Sequence, residues 1–366
     1  MSEVHARRRA RLRRSAAAAG NSAVLVCAPA NVRYLTGWSR PDAALLLTSR
    51  RDVLVTGGEA GPAGAKVPED LDRAEPVPPG ADPAVAAAVI AEDLGADTLA
   101  VEEHHLTVAR HRTIAAAAPR LRLADLARAV EQQRMVKDED EIAALRTAAE
   151  IADQALAELL ESILVGRTER HLALELERRL IDHGAESAAF PTCVATGPNS
   201  GAAHHRPTER RVEEGDFLTV CLGARYQGYC CAIGRTFVIG TEPAAWQIEL
   251  YDLVFAAQRA GREALLPGSA YRAVDRATRQ VVEAAGYGGL LGPSVGHGIG
   301  LEFHEYPLLS PTAVGKLDAC VPVTVEPGVH FPGRGGVRID DTLVVRPAAD
   351  GGPELLTITT KELLAL

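Results

Sequence analysis

The sequence predicts an α+β protein of two domains. A smaller α/β domain spans residues 1–130, and a larger one spans 131–366, where an antiparallel sheet is backed by helices. Three observations predict this. The chain's 366 residues exceed what a single core usually serves. Up to about residue 128, short apolar, β-branched runs alternate with Ala-rich helical stretches, the pattern of layered α/β structure. Beyond that point, helical periodicity alternates with strand-like segments joined as hairpins.

The elements follow in order. Arg7 to Arg14 is basic and Ala16 to Ala19 is apolar, an imitation of a signal peptide. Gly20-Asn21-Ser22 interrupts the apolar run, so the segment reads as a surface helix followed by a buried strand at 23–27. Further strands are expected at 44–48, 53–56 and 98–101, and helices at 83–94 and 106–118. The Pro/Gly-rich stretch from Gly57 to Pro83 reads as exposed loops. The second domain opens at Asp138, with Glu141 three residues on, a variant of the capping box. Ile142, Leu145, Ala149, Ala152, Leu156 and Leu159 then recur at helical spacing. More helices are expected at 168–183, 243–265 and 270–285. Strand-like segments fall near 190–195, 216–222, 228–239, 322–326 and 337–345.

Composition narrows the function. A net charge of −9 argues against non-specific nucleic-acid binding. The sequence contains no apolar run of the 18 or more residues that span a bilayer. Six cysteines in a chain this long do not form a disulfide framework, and cytoplasmic residence is the expectation.

Several motifs carry the chemistry. Gly215-Asp216-Phe217-Leu218-Thr219-Val220-Cys221-Leu222-Gly223-Ala224 leads on to Gly228-Tyr229-Cys230-Cys231-Ala232-Ile233-Gly234-Arg235-Thr236-Phe237. Ala203-His204-His205-Arg206-Pro207 precedes it. Gly296-His297-Gly298-Ile299-Gly300, with His304-Glu305-Tyr306-Pro307, follows. Thr324-Val325-Glu326-Pro327-Gly328 and Gly336-Val337-Arg338-Ile339-Asp340-Asp341 complete the set. In this order the motifs resemble the creatinase/Xaa-Pro aminopeptidase family, whose usual forms read GDLVLIDLGA…GYCSDITRTF, GHGIG…HExP, EPG and GVRIED. The resemblance covers residues 130–366 well, and 20–130 more loosely through Asn31-Val32-Arg33-Tyr34-Leu35-Thr36-Gly37. It implies the "pita-bread" fold behind a creatinase-type N-terminal domain.

The resemblance also implies a two-metal centre held by two Asp, one His and two Glu. Carried over, these are Cys221, Ala232, His297, Glu326 and Asp340. Ala232 has no ligand atom, and Asp340 is one methylene shorter than Glu, so the metal centre reads as dismantled. A single ion on His297, Glu326 and Asp340, with Cys221 as a softer fourth ligand, remains an alternative on ligand count. Without metal, Glu326 and Asp340 are expected to titrate as a coupled pair, one retaining a proton unless His297 or a cationic substrate compensates.

The creatinase branch works without metal, carries Ala at the position of Ala232, and uses the histidine matching His204 as general acid/base. Imidazole suits that task near neutral pH. Two further features of that branch are absent: a guanidinium-binding Glu at Gly234 and a His at Asp340. The reading that follows is a metal-independent hydrolase of a C–N bond in a small amidine, guanidine or amide compound, with no cofactor. His204, His297 and Glu326 are its catalytic residues. His304, Asp340, Arg338, Cys221, Arg40 and Trp38 are its substrate contacts, Arg40 as a clamp for a substrate carboxylate. A Cys221 nucleophile activated by His297 is a further chemical option. Two alternatives stand beside this reading: an Xaa-Pro-type peptidase with an altered single-metal site, and a catalytically silent binding protein. The resemblance of the segment around Tyr34–Arg40 implies a homodimer.

Overall fold

The computed structural model describes residues 2–57, 68–73, 77–78, 80–162 and 164–366. The chain divides into two compact units, Met1–Arg134 and Met135–Leu366.

The first unit opens with the helix Ser2–Ala18, followed by the strand Ala23–Val26. That strand lies inside a six-stranded mixed sheet. It pairs antiparallel with Ala43–Thr48 and parallel with Thr98–Val101. The helix Pro83–Asp93 starts on Asp82, whose side chain accepts from the Ala84 N–H, with Pro83 in its first turn. Pro at that position loses no hydrogen bond, because the first-turn N–H groups have no helical partner. Ala84, Ala87, Ala88 and Ala91 share one face and are fully buried with the core strands. Small side chains let this helix lie close on the sheet. Much of the stretch expected as loops from Gly57 to Pro83 lies outside the described residues, and within it Asp72–Arg73 forms a short strand.

The second unit has antiparallel sheets backed by helices. Its first long helix, Glu139–Leu160, begins with a reciprocal capping box: the Asp138 carboxylate accepts from Glu141 N–H, and the Glu141 carboxylate from Asp138 N–H, each at 3.0 Å. Ile142, Leu145, Ala149, Ala152, Leu156 and Leu159 are all fully buried against the sheet. Helices Glu169–Asp182, Ala245–Glu263 and Tyr271–Ala284 follow. Among the described residues, no helix is long and apolar enough to cross a membrane.

Two expected strands are each divided in two, and both divisions shape the site. Tyr229–Cys230 pairs with Ala224–Tyr226, whereas Ile233–Val238 pairs with Phe217–Leu222. At the crossover, the Thr342 hydroxyl accepts from Ala232 N–H at 3.0 Å and donates to Ala232 C=O at 2.8 Å. A side chain thus replaces a strand partner. The other division separates Gly335–Arg338, paired with Gly328–Phe331, from Asp341–Val344, paired with Pro322–Val325. Between them, Asp340 exchanges both backbone hydrogen bonds with Gly234, at 3.0 and 3.1 Å. A Cβ on Gly234 would lie 2.6 Å from the Asp340 carboxyl carbon. The close approach therefore requires glycine, and a glutamate at 234 has no room.

Candidate active site

His297, Glu326, Arg338, Asp340 and Cys221 come together where these strands end. His297 sits on the short strand Gly296–Gly298, and Glu326 follows Pro322–Val325 with its N–H bonded to Val295 C=O at 2.8 Å. Arg338 ends its strand, and its N–H donates to Thr236 Oγ1 while Thr236 Oγ1 donates to its C=O, both at 3.1 Å. Cys221 lies directly across the ladder from Gly234 on one side and from Cys193 on the other.

The guanidinium organises the charges. Arg338 Nε donates to Asp340 Oδ1 at 2.9 Å and Oδ2 at 2.7 Å, and Nη2 donates to Glu326 Oε2 at 2.8 Å. Nη1 makes no protein hydrogen bond among the described residues, and the side chain is 24% exposed. Arg338 is the cation that compensates the two carboxylates. Burial pushes the Asp340 carboxyl up to about 6, against the attraction of Arg338. Burial also pushes the Cys221 thiol well above its ordinary value, so Cys221 is a neutral thiol and a poor nucleophile.

His297 Nδ1 lies 2.9 Å from Gly298 C=O. A carbonyl only accepts, so Nδ1 carries the proton and the Nε2 lone pair points outward. Nε2 stands 3.6 Å from Glu326 Oε1. Burial lowers the pKa of this imidazole, keeping it neutral. His304 is exposed beside it, with ring centroids 4.4 Å apart. Phe303 touches both imidazoles and stacks on Phe190, 4.4 Å between centroids. With Ile299, Cys230 and Ala232 these rings form an apolar wall on which position 232 offers only a methyl group.

His204 lies on an exposed turn. Its loop is clasped by Glu169, a carboxylate with no solvent exposure. Glu169 accepts from Thr196 N–H, Asn199 Nδ2, Thr208 N–H and Thr208 Oγ1, and meets His205 Nε2 at 2.7 Å. Burial alone would raise its pKa, but the hydrogen bonds from Thr208, Asn199, His205 and Thr196 bring it down to about 2. His330, on Gly328–Phe331, bonds Ser200 C=O at 2.9 Å and feels the charges of Arg338 and His204. Sequence reasoning missed both residues. Glu169 was legible only as a helix-start residue, and His330 falls between the expected strand segments at 322–326 and 337–345. Trp38 and Arg40 belong to the first unit, just after the helix Pro29–Thr36. Trp38 is buried there and its indole N–H meets no acceptor among the described residues.

A dinuclear metal centre does not fit this donor set. Of five positions, one carries a cysteine in place of a bridging carboxylate, one a methyl group, and Asp340 has both oxygens bound by Arg338. His297 Nε2 and Glu326 Oε1 are two donors facing each other, short of the three protein ligands of a catalytic zinc site. Among the described residues, no three His, Cys, Asp or Glu side chains are grouped to hold an ion.

Comparison with known proteins bears on the same site. Residues 143–347 match metallopeptidase family M24, and residues 8–136 match the creatinase/prolidase N-terminal domain. An uncharacterised peptidase of Bacillus subtilis, YqhT, is 33% identical over 95% of this chain and 96% of its own length. A Xaa-Pro dipeptidase of Pyrococcus furiosus is 37% identical over 64% of this chain and 66% of its own. The solved structure of a Xaa-Pro dipeptidase from Bacillus anthracis superposes with a TM-score of 0.91 at 32% identity, covering 99% of this chain and all of the other. These likenesses correct the expectation of a metal-independent hydrolase. The matching family is one of metallopeptidases, and two of these three relatives are Xaa-Pro dipeptidases, which favours the peptidase alternative over an amidine hydrolase.

Proposed function

The chain belongs to metallopeptidase family M24 and is a hydrolase, and from that premise we propose that it is a Xaa-Pro-type dipeptidase or aminopeptidase with an altered ion site. One observation carries this reading: the full-length likeness to a Xaa-Pro dipeptidase, with His297, His304, Glu326 and Arg338 still gathered in one cluster.

Cleaving a Xaa-Pro bond requires a hold on the substrate's carbonyl or carboxylate, a proton for the departing prolyl nitrogen, and an apolar seat for the ring. Arg338 Nη1 is the available donor for the oxygen. Water adds to the carbonyl carbon as the C–N bond breaks; His204 takes a proton from that water and delivers one to the prolyl nitrogen, and Glu169 fixes the loop from which it acts. The wall of Ala232, Ile299, Phe303 and Phe190 receives the pyrrolidine ring. No step is assigned to a metal ion, because the donor set does not fit the family's pair.

This reading includes a homodimer, supported by the motif around Tyr34–Arg40, and cytoplasmic residence, supported by six free cysteines. The test is chromatographic detection of amino acids released from Ala-Pro, Met-Pro and Ala-Ala, with and without added Mn²⁺, Co²⁺ or Zn²⁺. Preferential release from the prolyl peptides is expected. Equal cleavage of Ala-Ala, or no cleavage under any condition, overturns the assignment.

A further inference from the structure

We propose that Arg338 is a built-in cation occupying the position between Glu326 and Asp340, so that a divalent ion can enter there only by displacing the guanidinium. The inference rests on the reading of this cluster as an altered M24 ion site.

The charge balance comes first. Four carboxylates can neutralise two divalent ions, but here two carboxylates remain, because positions 221 and 232 carry cysteine and alanine. Arg338 cancels one of those two charges and leaves one. A pair of divalent ions would then stand largely uncompensated in a buried site, which is strongly unfavourable.

Geometry adds to this. Arg338 occupies both Asp340 oxygens and one Glu326 oxygen, the acceptors an ion would need. The arrangement is held from behind. Thr236 grips the Arg338 backbone through both its N–H and C=O. The Asp340 backbone is laddered to Gly234. Arg235, fully buried, donates through Nη1 to the carbonyls of Gly234 at 2.8 Å and Asp340 at 2.7 Å. A shorter acid at 340 matches a partner only two residues away. The Glu326 oxygen left over, Oε1, faces His297 Nε2, so the residual ion affinity belongs to that side of the cluster.

Mn²⁺ binding in the absence of substrate tests this, read by the electron paramagnetic resonance signal of the free ion. Wild type is expected to bind at most one Mn²⁺ per chain, and Arg338→Gln is expected to bind at least tenfold more tightly because it frees both carboxylates. Arg338→Lys keeps the charge and is expected to bind as weakly as wild type. Circular dichroism melting checks that each variant is folded. Two ions per wild-type chain overturn the proposal even if neither variant folds, as does Arg338→Gln binding no tighter than wild type. Since no peptide is present, these outcomes are independent of Xaa-Pro cleavage. A chain with weak Mn²⁺ binding and no prolyl activity would sink the assigned substrate and leave the internal cation standing.

Discussion

His205 Nε2 stands 2.7 Å from the carboxylate of Glu169, and through this contact a buried charge fastens the loop that carries His204. Glu169 reaches the same loop through Thr208 and its flank through Thr196 and Asn199. The residue next in sequence to the proposed proton donor is therefore an anchor.

Glu169 makes the protein acid-sensitive. Its pKa is held down to about 2 from an ordinary 4.5. A depressed carboxylate contributes stability that is fully present above about pH 4.5 and is lost as pH falls toward 2. Urea unfolding of wild type is expected to weaken across that window. Glu169→Ala should cost about 3 kcal/mol at pH 7, the scale for breaking a buried charged network, and should flatten the acid dependence. An unchanged acid profile in the variant would assign the sensitivity to other groups.

His204→Ala should lower kcat by about 10²- to 10⁴-fold, the usual contribution of a general acid or base, with KM nearly unchanged. Its side chain is exposed, so the fold is expected to survive. Steady-state kinetics on a prolyl dipeptide decide the matter, and near-wild-type kcat would remove His204 from the mechanism.

Gly234→Ala places a methyl group 2.6 Å from the Asp340 carboxyl carbon, where backbone pairing leaves neither residue room to move. A loss of roughly 1–3 kcal/mol is expected, the range for overpacking, together with reduced activity as Asp340 shifts away from Arg338. Wild-type melting temperature and activity in this variant would contradict the account of the bridge.

Arg235 and Asp341 form an ion pair at 2.7 Å with both side chains fully buried. Arg235→Met leaves Asp341 with Lys361 and Gln258 but removes the donors that hold Gly234 and Asp340. The expected cost is about 3–5 kcal/mol, measured by chemical denaturation.

Sedimentation at micromolar concentration tests the proposed homodimer. A two-fold assembly is expected, and a fully active monomer would dissolve that part of the reading.

Legibility followed range. The capping box at Asp138 and the apolar face from Ile142 to Leu159 are written within one helix, and structure and sequence agree there residue by residue. The cluster of His297, Glu326, Arg338 and Asp340 was legible through motif order, because each motif holds its place in a strand end. What escaped depends on partners more than a hundred residues apart. Nothing local to Ile233–Val238 says that Gly234 meets Asp340, or that Thr342 interrupts the strand at Ala232. Glu169 and the loop near Thr208 lie closer together in sequence, but a glutamate after a helix cap looks like any first-turn acid. The ion requirement was misjudged for another reason. Missing ligands describe one site, whereas full-length likeness to Xaa-Pro dipeptidases bears on the whole enzyme.

The Thr342 hydroxyl that both receives from and gives to the Ala232 backbone has a consequence of its own. Here the backbone at 232 is held by a neighbour's hydroxyl, through bonds that do not involve the group on its Cα. Position 232 thus uncouples the trace of the chain from its reactivity. The hairpin keeps its outline whichever small side chain stands there, and its outline alone is no guide to what the enzyme can bind.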